Sequence, residues 1–331
     1  MANITVQDIN NLRKRTGVGI MDCKKALIES DGDVEKAIDY LREKGQKLAV
    51  KRADRAANEG VVLAKTTADK TFGAVVMINC ETDFVANNQD FIAFVQSVMD
   101  AAVNAKAKTI EEVNQLEVNG TKVETLVIDQ LAKIGEKITL SAYKAIEAPV
   151  VYSYIHPGNR TACVVGLNKT GFDEVGKNIN FQIVSMKPEA LTKEDVPQEV
   201  IDNEMKVNIE KTKQEQIERA VEAALKKAGI NPAHVDSEDH MESNMAKGWI
   251  TAEDVAKAKE IIATVSEEKR ANLNENMIQN IAKGRLEKFF KESTLLSQEY
   301  FIDNKKTVAE YLQSENADLA VTAFARLELG A

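Results

Sequence analysis

The chain repeats itself. Shifted by 89 positions, residues 61–79 fall without a gap on residues 150–168, and Val61, Val62, Val75, Val76 and Asn79 meet Val150, Val151, Val164, Val165 and Asn168. Five identities in nineteen are few, but both copies share one order: an apolar β-branched run, a turn, a second run, then helical spacing. Ala68-Asp69-Lys70 makes the first turn and His156-Pro157-Gly158-Asn159 the second. Helical spacing follows at Phe91, Phe94, Val95, Val98 and Met99, and again at Ile179, Ile183, Val184 and Met186. A helix is expected around 121–134, ended at Gly135. Alternation at Ile138, Leu140 and Ala142 closes the first copy with a strand; Val321, Ala323, Ala325, Leu327 and Leu329 close the second. The expectation is an α+β chain with two related subdomains, 60–148 and 149–331, each a small antiparallel sheet covered by helices.

Other elements surround this repeat. Residues 1–45 read as three short helices: Ile4, Val6, Ile9 and Leu12; then Ile20, Cys23, Ala26 and Leu27; then Val34, Ala37, Ile38 and Leu41. Thr16-Gly17-Val18-Gly19 and Asp31-Gly32-Asp33 separate them, and Gly45 is expected to end the third. Residues 46–59 carry a net charge of two positives and read as a solvated basic linker or tail helix. Inside the second copy, Lys187-Pro188 stops a helix, and from Pro197 a long charged helix runs to Gly229. At ~1.5 Å per residue it spans about 50 Å. After a loop with Pro232 and Gly248, a returning helix is expected from Thr251 to Lys291. The segment 197–291 thus reads as an inserted, projecting antiparallel hairpin without a strict heptad.

The net charge of −9 and pI near 5.2 argue against a surface built to grip nucleic acid. Cys23, Cys80 and Cys163 have no paired spacing and read as buried thiols. With no apolar leader and no run of 18 apolar residues, the chain is expected in the cytoplasm. Phosphate loops, nucleophile elbows and zinc-protease signatures are absent. His234, Asp236, Asp239 and His240 have ligand-type side chains but sit in a polar loop, so no metal, no cofactor and no catalytic residue is expected.

Two segments are not accounted for by scaffold alone. Ile20 and Met21 are adjacent, so a thin helical core does not hold both on one face; an exposed apolar contact and a fully tucked pair both fit. Asn79-Cys80-Glu81-Thr82-Asp83-Phe84-Val85-Ala86 lies between a strand and a helix. Thr82 or Asp83 there can simply cap the helix with Phe84 stapling its start, or Asp83 and Phe84 can probe a partner's pocket.

The segments TGVGIMDCKKAL at 16–27, NCETDFVA at 79–86, KIGE at 133–136 and YIHPG at 154–158, with the long helical insertion, resemble the elongation factor Ts family. The resemblance covers nearly the whole chain. It implies an exchange factor for elongation factor Tu, a GTPase, and a ubiquitin-associated-like bundle at residues 1–45. Arg13, Ile20 and Met21 would then meet the partner's nucleotide-binding domain. Thr82, Asp83, Phe84 and Val85 match the segment that disturbs the partner's Mg²⁺ site, Ile134 an apolar contact beside it, and His156 a contact to the far β-barrel domain. It implies no enzyme, no membrane and no direct nucleic-acid contact, and allows a homo-oligomer of the complex. Many members with a helical hairpin carry a further C-terminal module, whereas this chain stops at Leu329-Gly330-Ala331; that module's contacts are not carried over. A peptide-binding adaptor built on residues 1–45 and a nucleic-acid binder using 46–59 are the competing classes. Neither accounts for the Asp83-Phe84 loop.

Overall fold

The computed structural model describes residues 4–330. The first three residues of the expected 1–45 bundle, and Ala331, lie outside them. The fold is α+β. Three helices come first, α1 (Val6–Thr16), α2 (Ile20–Glu29) and α3 (Val34–Lys51). Thr5 and Asp8 form a capping box on α1, and Asp33 caps α3 through Glu35 and Lys36 N–H. Leu12, Cys23, Ala26, Leu27 and Ala37 are fully buried between them.

Gly45 does not end α3, which runs on to Lys51. Its hydrogen faces a later helix, Val123–Ile134: a methyl group there would lie 3.1 Å from Ala132 Cβ and 3.2 Å from Ile128 Cγ2. Close helix approach, not termination, accounts for this glycine.

Strands β1 (Glu59–Thr66) and β2 (Phe72–Cys80) form a hairpin. Next come α4 (Asp83–Ala86), α5 (Gln89–Asn104), α6 (Ile110–Gln115), a two-residue hairpin β3 (Glu117–Val118) and β4 (Thr121–Lys122), α7 (Val123–Ile134) and β5 (Thr139–Glu147). The second hairpin is β6 (Val150–Ile155) and β7 (Thr161–Leu167), followed by α8 (Asp173–Met186). Helices α9 (Gln198–Lys227), α10 (Glu238–Ala246), α11 (Ala252–Ala271) and α12 (Glu275–Ser293) follow. Strands β8 (Glu299–Tyr300) and β9 (Asp303–Thr307), α13 (Val308–Glu315) and β10 (Val321–Glu328) complete the chain.

The two main sheets have the same plan, β1-β2-β5 and β6-β7-β10, antiparallel throughout with the second hairpin strand central. Alternation along each strand gives each sheet two apolar faces. Val61, Leu63, Val76 and Ile78 pack in one core with Phe91, Val95, Val98 and Met99 of α5. Val62, Ala64 and Val75 share another core with Val151, Ala162 and Val164, and with Ala325 and Leu327 of β10, so the sheets lie back to back. Backbone bonds also cross between them: Val62 N–H donates to Asn159 O (2.7 Å) and Val151 N–H to Lys70 O (2.6 Å).

The chain divides into two compact units, residues 192–297 and the remainder. Within the smaller one, α9 pairs with α11 and α12. Leu225, Ile230, Val235, Met241, Ile250 and Ala258 form its own core. Pro197 stands at the N-cap of α9 rather than inside it. The returning segment is two helices, not one: the chain breaks between Ala271 and Glu275, where the Asn274 side chain accepts from Met277 N–H and caps α12.

Candidate functional site

Strand β2 ends in a well-tied corner. Asn79 donates from Nδ2 to Glu59 O at 3.1 Å and accepts from Ser141 Oγ. Cys80 is buried, its Sγ donating to Thr82 O at 3.2 Å. Burial pushes its thiol up to about 12, helped by the nearby Glu136 carboxylate, so it is an inert core group and not a nucleophile.

Two carboxylates then cross over the turn. Glu136, just after α7, accepts Glu81 N–H (3.2 Å) and Thr82 N–H (3.1 Å) on one oxygen and Thr82 Oγ1–H (2.8 Å) on the other. Glu81 reaches the opposite way and accepts Lys137 N–H (2.6 Å), Arg52 Nη1 (2.6 Å) and Arg55 Nη1 (3.0 Å). Desolvation opposes the ionised Glu81. The Lys137 amide and the two guanidinium groups outweigh it and hold the carboxyl at about 2. Lys137 Nζ adds bonds to Ala53 O (2.6 Å) and Arg55 O (3.0 Å). The segment 52–55, expected as solvated linker, is therefore fastened to this corner.

Helix α4 is a single turn of four residues. Thr82 caps it, its Oγ1 accepting Val85 N–H at 3.4 Å. Asn87 donates through both N–H and Nδ2 to Asp83 O, and Asn88 N–H to Val85 O, before Asn88 caps α5. Val85 is half-buried against the α5 core, as is Ile134 at the end of α7. In contrast, Phe84 is 85% exposed, and the Asp83 carboxylate has no partner among the described residues. The N–H groups of Thr82 and Val85 and the carbonyls of Thr82, Asp83 and Val85 are all engaged, and the exposed side chains of Asp83 and Phe84 have no hydrogen-bond partner among the described residues.

The α1–α2 turn comes close by. Gly17, at φ +70°, ends α1 by donating its N–H to Arg13 O at 2.7 Å. A side chain at Gly17 would meet Lys133 Cε at 2.8 Å, so the turn sits over the last turn of α7. Lys133 also lies 3.8 Å from Asp90, at the start of α5. Of the adjacent apolar pair, both members are exposed, Ile20 at 48% and Met21 at 73%; Arg13 is exposed as well. His156 stands on the β6–β7 turn, exposed, with Nδ1 3.2 Å from Tyr154 Oη. That turn shares a sheet end with the Thr82 loop, because Arg160 pairs with Glu59, which lies opposite Cys80 in register. The structure thus gathers Thr82, Asp83, Phe84, Val85 and Ile134 into one cluster. Arg13, Ile20 and Met21 belong to the helical bundle and His156 to the second sheet. No hydrogen bond joins either group to the loop among the described residues.

A family model described as Elongation factor TS matches residues 81–331. An Elongation factor Ts of Parabacteroides distasonis is 53% identical over 328 residues, 99% of both chains. The chain belongs to the elongation factor Ts family. Members from Bacteroides fragilis, 53% identical over 99% of both chains, and Christiangramia forsetii, 39% identical over the whole of both, carry the same name. As an elongation factor Ts family member the chain is a translation elongation factor, and the full-length relatives extend the match across the helical bundle. Among the described residues no three His, Cys, Asp or Glu side chains converge to hold a metal ion. His240 Nδ1 instead contacts Asp236 Oδ1 at 2.5 Å. No described helix is long and apolar enough to cross a membrane.

Sequence patterns missed the fastening groups. Glu136 entered only as part of a family motif, and Arg52 and Arg55 only as charge. Their partners lie 26 to 56 residues away, beyond any local periodicity.

Proposed function

We propose that this chain binds elongation factor Tu in its GDP form and speeds GDP release by disturbing the partner's Mg²⁺ and phosphate site, so that GTP can rebind. The reading rests on family membership and on one observation: an exposed Phe84 beside an Asp83 carboxylate without a partner among the described residues, on a turn held by Glu136 and by its Thr82 cap. Such a nucleotide is held by backbone donors and by Mg²⁺ bridging to phosphate. Phe84 entering an apolar pocket gains roughly 2–3 kcal/mol. Asp83 offers a competing acceptor to the groups that hold the ion, and need not ligate it. The chain needs no active site of its own; its driving force is tighter binding to the nucleotide-free partner than to the GDP form.

In this reading Arg13, Ile20 and Met21 rest on the nucleotide-binding domain, Ile134 adds an apolar contact beside the Mg²⁺ segment, and His156 meets the far β-barrel domain. The bundle at 1–45 supplies affinity, the two sheet subdomains carry the contact loops, and the hairpin at 197–291 is an arm added to them. The complex works in the cytoplasm and allows a homo-oligomer. The test is stopped-flow release of a fluorescent GDP analogue from elongation factor Tu, with and without this chain, across a range of free Mg²⁺. Acceleration that shrinks as Mg²⁺ is chelated is the expected result. A release rate unchanged by saturating factor would sink the reading.

A further inference from the structure

The Thr82 corner holds more fastening than a four-residue helix needs. A capping side chain satisfies one or two free N–H groups, and Thr82 Oγ1 already does this for Val85. The corner also engages two full carboxylates, from residues 81 and 136, which between them accept six hydrogen bonds. The donors come from three places: the end of α3, the turn preceding α4, and the residue leading into β5. Charge-assisted bonds of this kind are about twice as strong as neutral ones. They hold a backbone whose two outward side chains, Asp83 and Phe84, are exposed and make no hydrogen bond among the described residues.

We propose that Glu136 and Glu81 are positioning residues for nucleotide release: they fix the Thr82–Val85 backbone so that Phe84 meets the partner already oriented, and Arg52 ties that orientation to the end of the helical bundle. This rests on the exchange-factor reading above and adds to it residues that touch no partner. The physical reason is preorganisation. A loop that must be ordered on binding loses part of its interaction energy to that ordering, whereas a loop held beforehand does not. If the loop has to displace groups around an ion, freedom in its backbone lets Phe84 bind without transmitting force. The expected signature is a lower release rate at saturating factor, with little change in the concentration giving half-saturation.

Arg52 extends the arrangement. Its guanidinium reaches Glu81 at 2.6 Å while its side chain is largely buried, and it stands immediately after α3, the helix that Gly45 seats against α7. Helix α7 in turn ends two residues before Glu136. Both ends of the carboxylate pair are therefore tied to the same α3–α7 contact, and the orientation of the bundle is transmitted to the loop through one short set of polar contacts.

The experiment uses the full chain with purified elongation factor Tu loaded with a fluorescent GDP analogue. Glu136→Ala should lower the saturating release rate about tenfold, while Glu136→Gln, which keeps an oxygen for the two backbone N–H groups, should stay within about threefold of the parent. The deciding measurement places Glu136→Ala in a Phe84→Ala background. If Glu136 acts by orienting Phe84, the second substitution should add less than about twofold, a non-additivity that general loss of stability does not produce. Full additivity, or an unchanged saturating rate for Glu136→Ala with a native melting curve, overturns the proposal. Should Glu136→Ala melt early, Glu81→Gln, assayed well below its melting temperature, should still lower the saturating rate about threefold, and a parental rate there also overturns it. Failure of the parent chain to speed release at all would instead remove the exchange-factor reading, so the two are separable.

Discussion

The two sheets end alike and continue differently. Under the 89-residue shift, Asn79-Cys80-Glu81-Thr82-Asp83-Phe84 falls on Asn168-Lys169-Thr170-Gly171-Phe172-Asp173. Both asparagines anchor the strand end, Asn79 to Glu59 O and Asn168 to Asp318 O and Ala320 N–H. Beyond them the copies part. The first makes a separate one-turn helix pinned by Glu81 and Glu136, with its phenylalanine in solvent. The second turns through Gly171 at φ +86° and enters α8 directly, with Phe172 half-buried at its N-cap. One scaffold therefore carries a presented aromatic in one copy and an ordinary helix start in the other. The sheet explains the fold, and the residues that follow its central strand explain what is displayed.

That contrast can be broken most directly at the aromatic rings. Phe84→Ala should slow GDP release at saturating factor ten- to a hundredfold, equivalent to ~1.4–2.7 kcal/mol, with an unchanged melting temperature. Phe172→Ala should leave the same rate within about twofold. Equal effects in stopped-flow release would erase the distinction between the copies.

The reverse case is a site where only the second copy should suffer. Gly176 of α8 packs so closely that an added methyl would stand 2.2 Å from the Tyr152 ring. Its counterpart in the first copy is the exposed Asn87. Gly176→Ala should cost about 1–3 kcal/mol in urea unfolding through overpacking. The saturating exchange rate should stay at the parental value. A stable Gly176→Ala protein would mean that α8 sits less tightly on β6 than the structure shows.

The smallest effect concerns acid. Glu81 titrates at about 2 in the folded chain against an ordinary 4.5, so its partners stabilise the fold above 4.5 and that contribution is lost as pH falls towards 2. The second copy has Thr170 at this position, with no carboxylate to protonate. Glu81→Gln should flatten the fall in melting temperature between roughly pH 4.5 and 2, seen by circular dichroism. An unaltered acid profile would show that the guanidinium contacts of Glu81 do not persist in solution.

The repeat was legible because side-chain alternation and turn length are local properties. The shift that aligns Val61 with Val150 also aligns β1 with β6 and β2 with β7. Caps were legible for the same reason: Asp33 and Gly135 each stand at the helix end where their chemistry puts them. Gly45 is ambiguous in sequence because termination and close packing favour the same residue, and only the position of Ala132 tells them apart. The returning segment reads as one helix in sequence, but at Asn272-Leu273-Asn274 an asparagine cap outweighs periodicity and divides it. The outline of the candidate site, an aromatic on a strand-to-helix loop, could be read directly. What holds it could not, since Arg52, Glu81 and Glu136 meet only once three separate elements are folded together.

The bonds that cross between the sheets have a consequence for how the chain comes apart. Val62 donates to the turn of the second hairpin and Val151 to the turn of the first, and both sheets draw on one shared apolar layer. Neither hairpin can open without leaving the other's backbone groups unsatisfied and its inner face wet. Opening is then a single concerted event across both, and native-state hydrogen exchange should give the central amides of β2 and β7 the same opening free energy and the same denaturant dependence. Distinct values would make each sheet its own cooperative unit. Equal ones would mean that a segment written twice in the sequence behaves as one body when it unfolds.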